Sequence, residues 1–251
     1  MTMRRLVAAA LSIFVTATSA HAAACAHETH DDGHVTEIID GRSFRLSDGR
    51  EIRLAGIELV APRDTGALSA LVKDKDVNLH GPDDTPDRYG RQIAFVFLAG
   101  SDESVQAQLL AQGAALASPN ATDRDCAAAL LAAEAAARAG KKGTWASANV
   151  IKNAESTADI LAGIGRFVLV EGRVLSVRQA GTTTYLNFGR NWTRDFAATI
   201  SRRMMPAVES NGLTLKSLEN RRIRIRGWVE AHPGPRIEVV RAGQIEVLSG
   251  N

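Results

Sequence analysis

The chain has 251 residues, 45% of them hydrophobic and 23% charged, with a formal net charge of +2. That mixture excludes an intrinsically disordered chain, and the length suits one large domain or two small ones. The charge is unevenly spread: residues 165–251 carry 14 Lys/Arg against 7 Asp/Glu, and residues 1–164 carry 16 against 21. A polyanion, if one binds, is drawn to the C-terminal part; an idle basic surface gives the same count.

Residues 1–22 read as a signal peptide. Arg4 and Arg5 give a positive start, Leu6 to Val15 an apolar core, and Ala20-His21-Ala22 a small-residue cleavage site. No later run reaches the ~20 apolar residues of a membrane span. The mature chain is expected to be exported, to the periplasm in preference to the medium. The only two cysteines, Cys25 and Cys126, are expected to pair in such an oxidising compartment. Lipid attachment at Cys25 is the lesser reading, because the large aliphatic residue usual three positions before it is missing. Residues 23–34 form a polar tail. His27, His30, His34, Asp31 and Asp32 there have metal-ligand chemistry, against which stands the blander reading of a solvated tail.

A first domain is expected over residues 35–148. Val35 to Ile39, Ser43 to Leu46 and Glu51 to Leu54 read as strands, the last two joined by the hairpin turn Ser47-Asp48-Gly49-Arg50. Asp76 to Leu79 and Gln92 to Phe97 are two more. Helices are expected at Gly66 to Val72, at Ser104 to Gln112, and at Asp123 to Ala139, the last capped by Asp123 or Thr122 and closed by Gly140. Residues 149–165 read as a linker, and a second domain as residues 166–248. There Phe167 to Gln179, Thr183 to Phe188 and Phe196 to Ser201 are strands, followed by a helical stretch to Ser210. A hairpin of Arg222 to Glu230 with Arg236 to Val240 closes it. The order β-β-β-α-β-β is that of the OB-fold, a five-stranded barrel that binds oligonucleotides and oligosaccharides.

Several segments carry a more specific likeness. Ile38-Ile39-Asp40-Gly41-Arg42-Ser43, Arg53-Leu54-Ala55-Gly56-Ile57-Glu58, Ala61-Pro62 and Asp87-Arg88-Tyr89-Gly90-Arg91 occur in that order, and Gly143-Thr144-Trp145 follows the long helix. Over about 110 residues the chain resembles the staphylococcal-nuclease (thermonuclease) family. The resemblance implies a mainly β fold with helices: a nuclease-like OB barrel followed by a second OB-fold-like barrel. It also implies phosphodiester hydrolysis, in which two Asp hold calcium, a Glu orients water and two Arg bind phosphate.

Carried over by position, Arg53 and Arg91 stand at the phosphate-binding arginines and Glu58 at the second metal carboxylate. Arg42 replaces the first metal Asp. The Glu expected after Ala61-Pro62 is absent, with Arg63 and Asp64 in its region and Leu59-Val60 inserted before it. A positive charge ~5 Å from a divalent cation costs about 6–7 kcal/mol at an effective dielectric of ~20, so no tight calcium site is expected. Two readings of Arg42 stand: an anion pocket with Arg53 and Arg91, or a neutralising pair with Glu58.

In the second domain Arg222, Arg224 and Arg226 alternate with Ile223 and Ile225. A period of two puts the arginines on one face and the isoleucines in the core. Trp192 and Trp228, with Arg190 and Arg194, offer stacking surfaces for a single strand; the alternative buries Trp228 in the core. No P-loop, dinucleotide fingerprint, G-x-S-x-G or CxxC motif is present. The leading reading is an exported binder of nucleic acid or another polyanion with a degenerate phosphodiesterase site. A nuclease with a metal site rebuilt from Asp40, Glu58 and Asp64, requiring calcium, is the enzyme alternative. An envelope protein-interaction module is the third.

Overall fold

The computed structural model describes residue 25 and residues 29–61, 63–81, 85–119, 123–210 and 212–248. The leader at 1–22, the tail residue His27, Pro62 and the alternative cap Thr122 lie outside the described residues.

The first barrel is built from β1 (Thr29–Asp40), β2 (Ser43–Leu46), β3 (Glu51–Leu54) and, after the short β4 (Ile57–Glu58) and helix α1 (Gly66–Val72), β5 (Asp76–His80) and β6 (Arg91–Leu98). Its order is β1-β2-β3-β6-β5, closing back on β1, with one parallel pair, β3 with β6. Alternation drives this. In β3, Ile52 and Leu54 face the core while Glu51 and Arg53 face outward. The β2–β3 turn needs a left-handed residue, which Gly49 supplies at φ +92°, and Asp48 Oδ1 accepts from the Arg50 backbone N–H at 3.0 Å. Helices α2 (Val105–Ala111) and α3 (Arg124–Ala139) flank the short β7 (Leu116–Ala117), which pairs with β4. Ser104 caps α2 and Asp123 caps α3, each accepting from a backbone N–H three residues on. Cys25 and Cys126 form a disulfide with their Cα atoms 4.4 Å apart, tying residue 25 to the first turn of α3.

Two expectations are overturned. The tail is not loose from Thr29 onward: it is the first half of β1 and pairs with β5 from Thr29↔His80 to His34↔Asp76. Three of its polar groups have partners. His34 Nδ1 lies 2.8 Å from Asp76 Oδ1, and Arg50 holds both the Asp31 carboxylate and the Asp32 carbonyl. Likewise 149–165 is no simple linker. It contains β8 (Ile151–Asn153), paired parallel with the next strand, and α4 (Thr157–Leu161), whose Ile160 is fully buried.

The second unit is an eight-stranded sheet. Beyond β8 it comprises β9 (Phe167–Arg173), β10 (Ser176–Ala180), β11 (Thr183–Asn187), β12 (Ala197–Ser201), helix α5 (Met205–Ser210), β13 (Arg222–His232), β14 (Gly234–Val239) and β15 (Ile245–Val247). The stretch Phe167 to Gln179, expected as one strand, is interrupted at Val174-Leu175. The order β10-β11-β12-β14-β13-β9 returns to the strand just before β10, and β12 with β14 is parallel. That is the order and the parallel pair of the first barrel.

The two units meet through an apolar cluster and a buried charge network. Leu116, Ala137 and Trp145 pack with Phe167 and Leu169. Beside them the alternation of β13 points the arginines one way and the isoleucines the other, as the period of two requires, but the arginine face is largely covered. Arg226 is 1% exposed and Arg224 is also buried. Arg226 donates to both oxygens of the fully buried Glu134 on α3, at 3.0 Å each, and to the Ala117 carbonyl at 2.8 Å. Arg224 is held by Glu171 and Glu246, and Arg138 approaches Glu134 at 3.5 Å. Of the stripe, only Arg222 remains open to solvent.

Breaking such a buried pair leaves an uncompensated charge, which costs about 3–5 kcal/mol, whereas replacing both partners with apolar groups costs far less. Urea unfolding should show Arg226→Leu losing about that much, with Arg226→Leu/Glu134→Leu recovering a large part of it.

Candidate functional site

One end of the first barrel collects the charged residues that the sequence singled out. Asp40 ends β1, Arg42 sits in the turn to β2, Arg53 lies on β3, Glu58 on β4 and Arg91 opens β6. Outward-facing positions on neighbouring strands bring them together: Arg53 pairs with Ser43 on one side and Ile93 on the other.

Arg42 is spoken for. Its Nη1 lies 2.6 Å from Glu58 Oε2 and donates to the Ile57 carbonyl at 2.8 Å, with both side chains nearly buried. Asp40 accepts the Arg42 backbone N–H at 2.8 Å, closing the turn. Of the two readings of Arg42, the geometry has the neutralising pair. The residues do not suit calcium. A guanidinium occupies the carboxylate and the carbonyl that a hard cation would need as oxygen ligands, and among the described residues no group of three His, Cys, Asp or Glu is placed to hold a metal. Asp64 is turned to local use: its Oδ1 accepts the Gly66 N–H at 3.0 Å at the entry to α1, and its backbone carbonyl sits against Gly41, where a Cβ would come within 2.4 Å of it.

The two phosphate-position arginines differ. Arg91 is gripped by Asp87, with Nη2 and Nε at 2.7 and 3.1 Å from Oδ2, and its guanidinium stacks 4.9 Å from the Tyr89 ring centre. The hydrogen bonds that Arg91 donates to the Asp87 carboxylate hold the Arg91 pKa above its ordinary value and Asp87 at about 2. Arg53 is half-buried, and among the described residues its side chain has no hydrogen-bond or ion-pair partner within bonding distance. Burial, then the charges of Arg42 and Arg91, push its pKa down. The charges of Asp40 and Glu58 act the other way, and an anion placed there would add to that attraction.

Arg53 opens onto a cleft of about 570 Å³ between the two units. Asp40, Arg42 and Glu58 line one side of it, and Lys152, Arg166 and Trp228 belong to the other. Lys152 is paired with Asp159 at 2.8 Å. Arg166 and Lys152 carry no motif in the sequence; Lys152 fell in the expected linker and Arg166 at the expected domain boundary. Trp228, one of two candidate stacking residues, is 48% exposed at the cleft wall rather than core. The other, Trp192, is more exposed still and lies away from this cleft.

Residues 63–147 match the model of a family described as Staphylococcal nuclease homologue. With the closed five-stranded barrel, this makes the first unit a staphylococcal-nuclease-like domain; β1, β2 and β3 precede the matched stretch. Among curated proteins, none matches the chain.

Two measurements check this geometry. Because the folded-state pKa of Asp87 is depressed, the stability it contributes is fully present above its ordinary 3.8 and is lost as the pH falls through about 2. A carboxyl NMR titration should find the midpoint near 2, moving back up in Arg91→Ala. If Arg42 is what bars calcium, millimolar calcium should leave the melting temperature of the parent chain unchanged. It should raise that of Arg42→Asp by several degrees through preferential binding to the folded state.

Proposed function

Taking the staphylococcal-nuclease-like domain as premise, we propose that this chain binds nucleic acid or a similar polyanion through the barrel-end arginines, with phosphodiester hydrolysis weak or absent. A staphylococcal-nuclease-like domain suggests a nuclease-family or nucleic-acid-binding protein. The observation that carries the finer reading is the division of labour among three arginines. Arg42 is consumed by Glu58, Arg91 is braced by Asp87, and Arg53 faces the cleft with no carboxylate partner in contact. The family's chemistry needs a cation among carboxylates and a water-orienting Glu. Here a guanidinium sits with Glu58, and Asp64 caps a turn.

The remaining parts of the reading have their own supports. Export is favoured by the Cys25–Cys126 disulfide, a bond that oxidising compartments permit. The same bond uses the sulfur that lipid attachment would require. No helix among the described residues is long and apolar enough to cross a membrane. A second OB-like barrel is favoured by the shared strand order and the shared parallel pair. Its expected Arg222, Arg224 and Arg226 ligand surface is not part of the proposal beyond Arg222, because the other two guanidinia are buried among carboxylates.

The test incubates the chain from residue 23 onward with labelled single-stranded DNA, with and without millimolar calcium, scoring binding and cleavage together. Binding should weaken steeply with salt, fall at least tenfold in Arg53→Gln, and occur without cleavage. Calcium-dependent cleavage abolished by Arg91→Ala would overturn the proposal in favour of an active nuclease. Absence of any polyanion binding would move a protein-interaction role to the front.

A further inference from the structure

We infer that the second unit completes this cleft as a site for unpaired nucleic acid, with Arg166 as a second phosphate contact opposite Arg53 and Trp228 as the platform for a base. This rests on the polyanion reading above and narrows it to one class of occupant.

The cleft holds four cationic side chains: Arg42, Arg53, Lys152 and Arg166. Two are neutralised locally, Arg42 by Glu58 at 2.6 Å and Lys152 by Asp159 at 2.8 Å. Arg53 and Arg166, among the described residues, have no carboxylate within ion-pair distance and no side-chain hydrogen bond. They come from different units, Arg53 from β3 and Arg166 from the residue before β9. An occupant that meets both must carry more than one anionic group or place one group between them.

Charge alone would suit any polyanion. Trp228 adds a demand for something flat and apolar. It stands on β13 beside Phe167, the two rings edge to face with centroids 6.2 Å apart, and it remains 48% exposed at the cleft wall. The same lining also carries apolar side chains of the first unit, Leu59, Val60 and Leu116. A half-exposed indole offers aromatic surface to whatever enters, and base–aromatic stacking is how sequence-tolerant single-strand binders use such surface. The strand that carries the indole is anchored two residues before it, where Arg226 is bonded to Glu134 and to the Ala117 carbonyl. A cleft of about 570 Å³ is the size of site that takes a ligand of modest dimensions, which suits a nucleotide or two of a single strand.

The experiment measures affinity for a fluorescein-labelled oligo(dT) and, by competition, for inorganic polyphosphate, which has the charge without bases. Trp228→Ala should weaken oligo(dT) binding about tenfold, the scale of one lost stack, and leave polyphosphate unchanged; Trp228→Phe should keep most of the oligo(dT) affinity. Arg166→Gln and Arg53→Gln should weaken both ligands. Equal oligo(dT) affinity in Trp228→Ala and the parent overturns the inference, as does equal loss of both ligands, and so does a preference for duplex over single strand. In those cases a loss of polyphosphate binding in Arg53→Gln still upholds the polyanion reading, whereas its absence sinks that reading as well. If Trp228→Ala fails to fold, Trp192→Phe supplies the readout, since of the two indoles then left Trp228 is exposed and Trp145 is buried. Its fluorescence should be quenched by oligo(dT) and not by polyphosphate, and unchanged fluorescence at saturation overturns the inference.

Discussion

The contact between Glu134 and Arg226 sets the relation of everything else in the molecule. A carboxylate at the middle of α3 and a guanidinium at the middle of β13 are both removed from water, and they meet through two hydrogen bonds at 3.0 Å. Such a pair adds little net stability over an apolar equivalent, but any docking that leaves either charge alone is penalised by about 3–5 kcal/mol. Its effect is therefore on geometry. Arg226 also holds the Ala117 carbonyl of β7, and Glu134 accepts the Ala117 N–H at 2.6 Å. Since β7 pairs with β4, the strand bearing Glu58 is referred to the same point as the strand bearing Trp228. The apolar contacts of Phe167 and Leu169 with Trp145 supply the attraction; the charges supply the register.

The barrel end shows how a substitution can change the kind of chemistry a site suits without dismantling it. A divalent cation among carboxylates both anchors a phosphate and activates water. A guanidinium in its neighbourhood can do the first by hydrogen bonding, but it brings no bound water to activate. Here that guanidinium is itself tied to Glu58 and to the Ile57 carbonyl, so the positive charge available to a ligand shifts to Arg53. Arg53 is crowded by Arg42 and Arg91 and partly desolvated. Asp40 and Glu58 offset part of that crowding.

The first barrel was legible because its strands alternate and its turns carry their own signals: Ile52 and Leu54 against Glu51 and Arg53, Asp48-Gly49 at a hairpin, Asp123 at a helix start. The polar half of β1 was not, because His34, Asp31 and Asp32 look solvated in a row and only their partners Asp76 and Arg50, far along the chain, show them to be paired. The same limit governs the site. The pairing of Arg42 with Glu58 was one of two readings that the spacing allowed, and local sequence does not decide between them. The arginine stripe on β13 was placed correctly on one face, yet alternation cannot say whether that face meets water or another unit. Residues 149–165, with Ser, Gly and Ala between short apolar groups, lack the periodicity that would have marked β8 and α4. Arg166 had no local signal at all; only the packing of one unit on the other brings it to the cleft that Arg53 lines.

The disulfide has a mechanical side. It joins residues 101 apart in sequence and encloses the strands of the first barrel from β1 to β6 within one covalent loop. Tension applied from Cys25 toward the second unit need not pass through those strands. It crosses the sulfur bridge into the first turn of α3, runs along that helix to Glu134, and leaves through Arg226 into β13. Roughly 340 Å of extensible chain, at about 3.4 Å per residue, is thereby shielded from the pull, and the first barrel bears no load while the junction between the units yields.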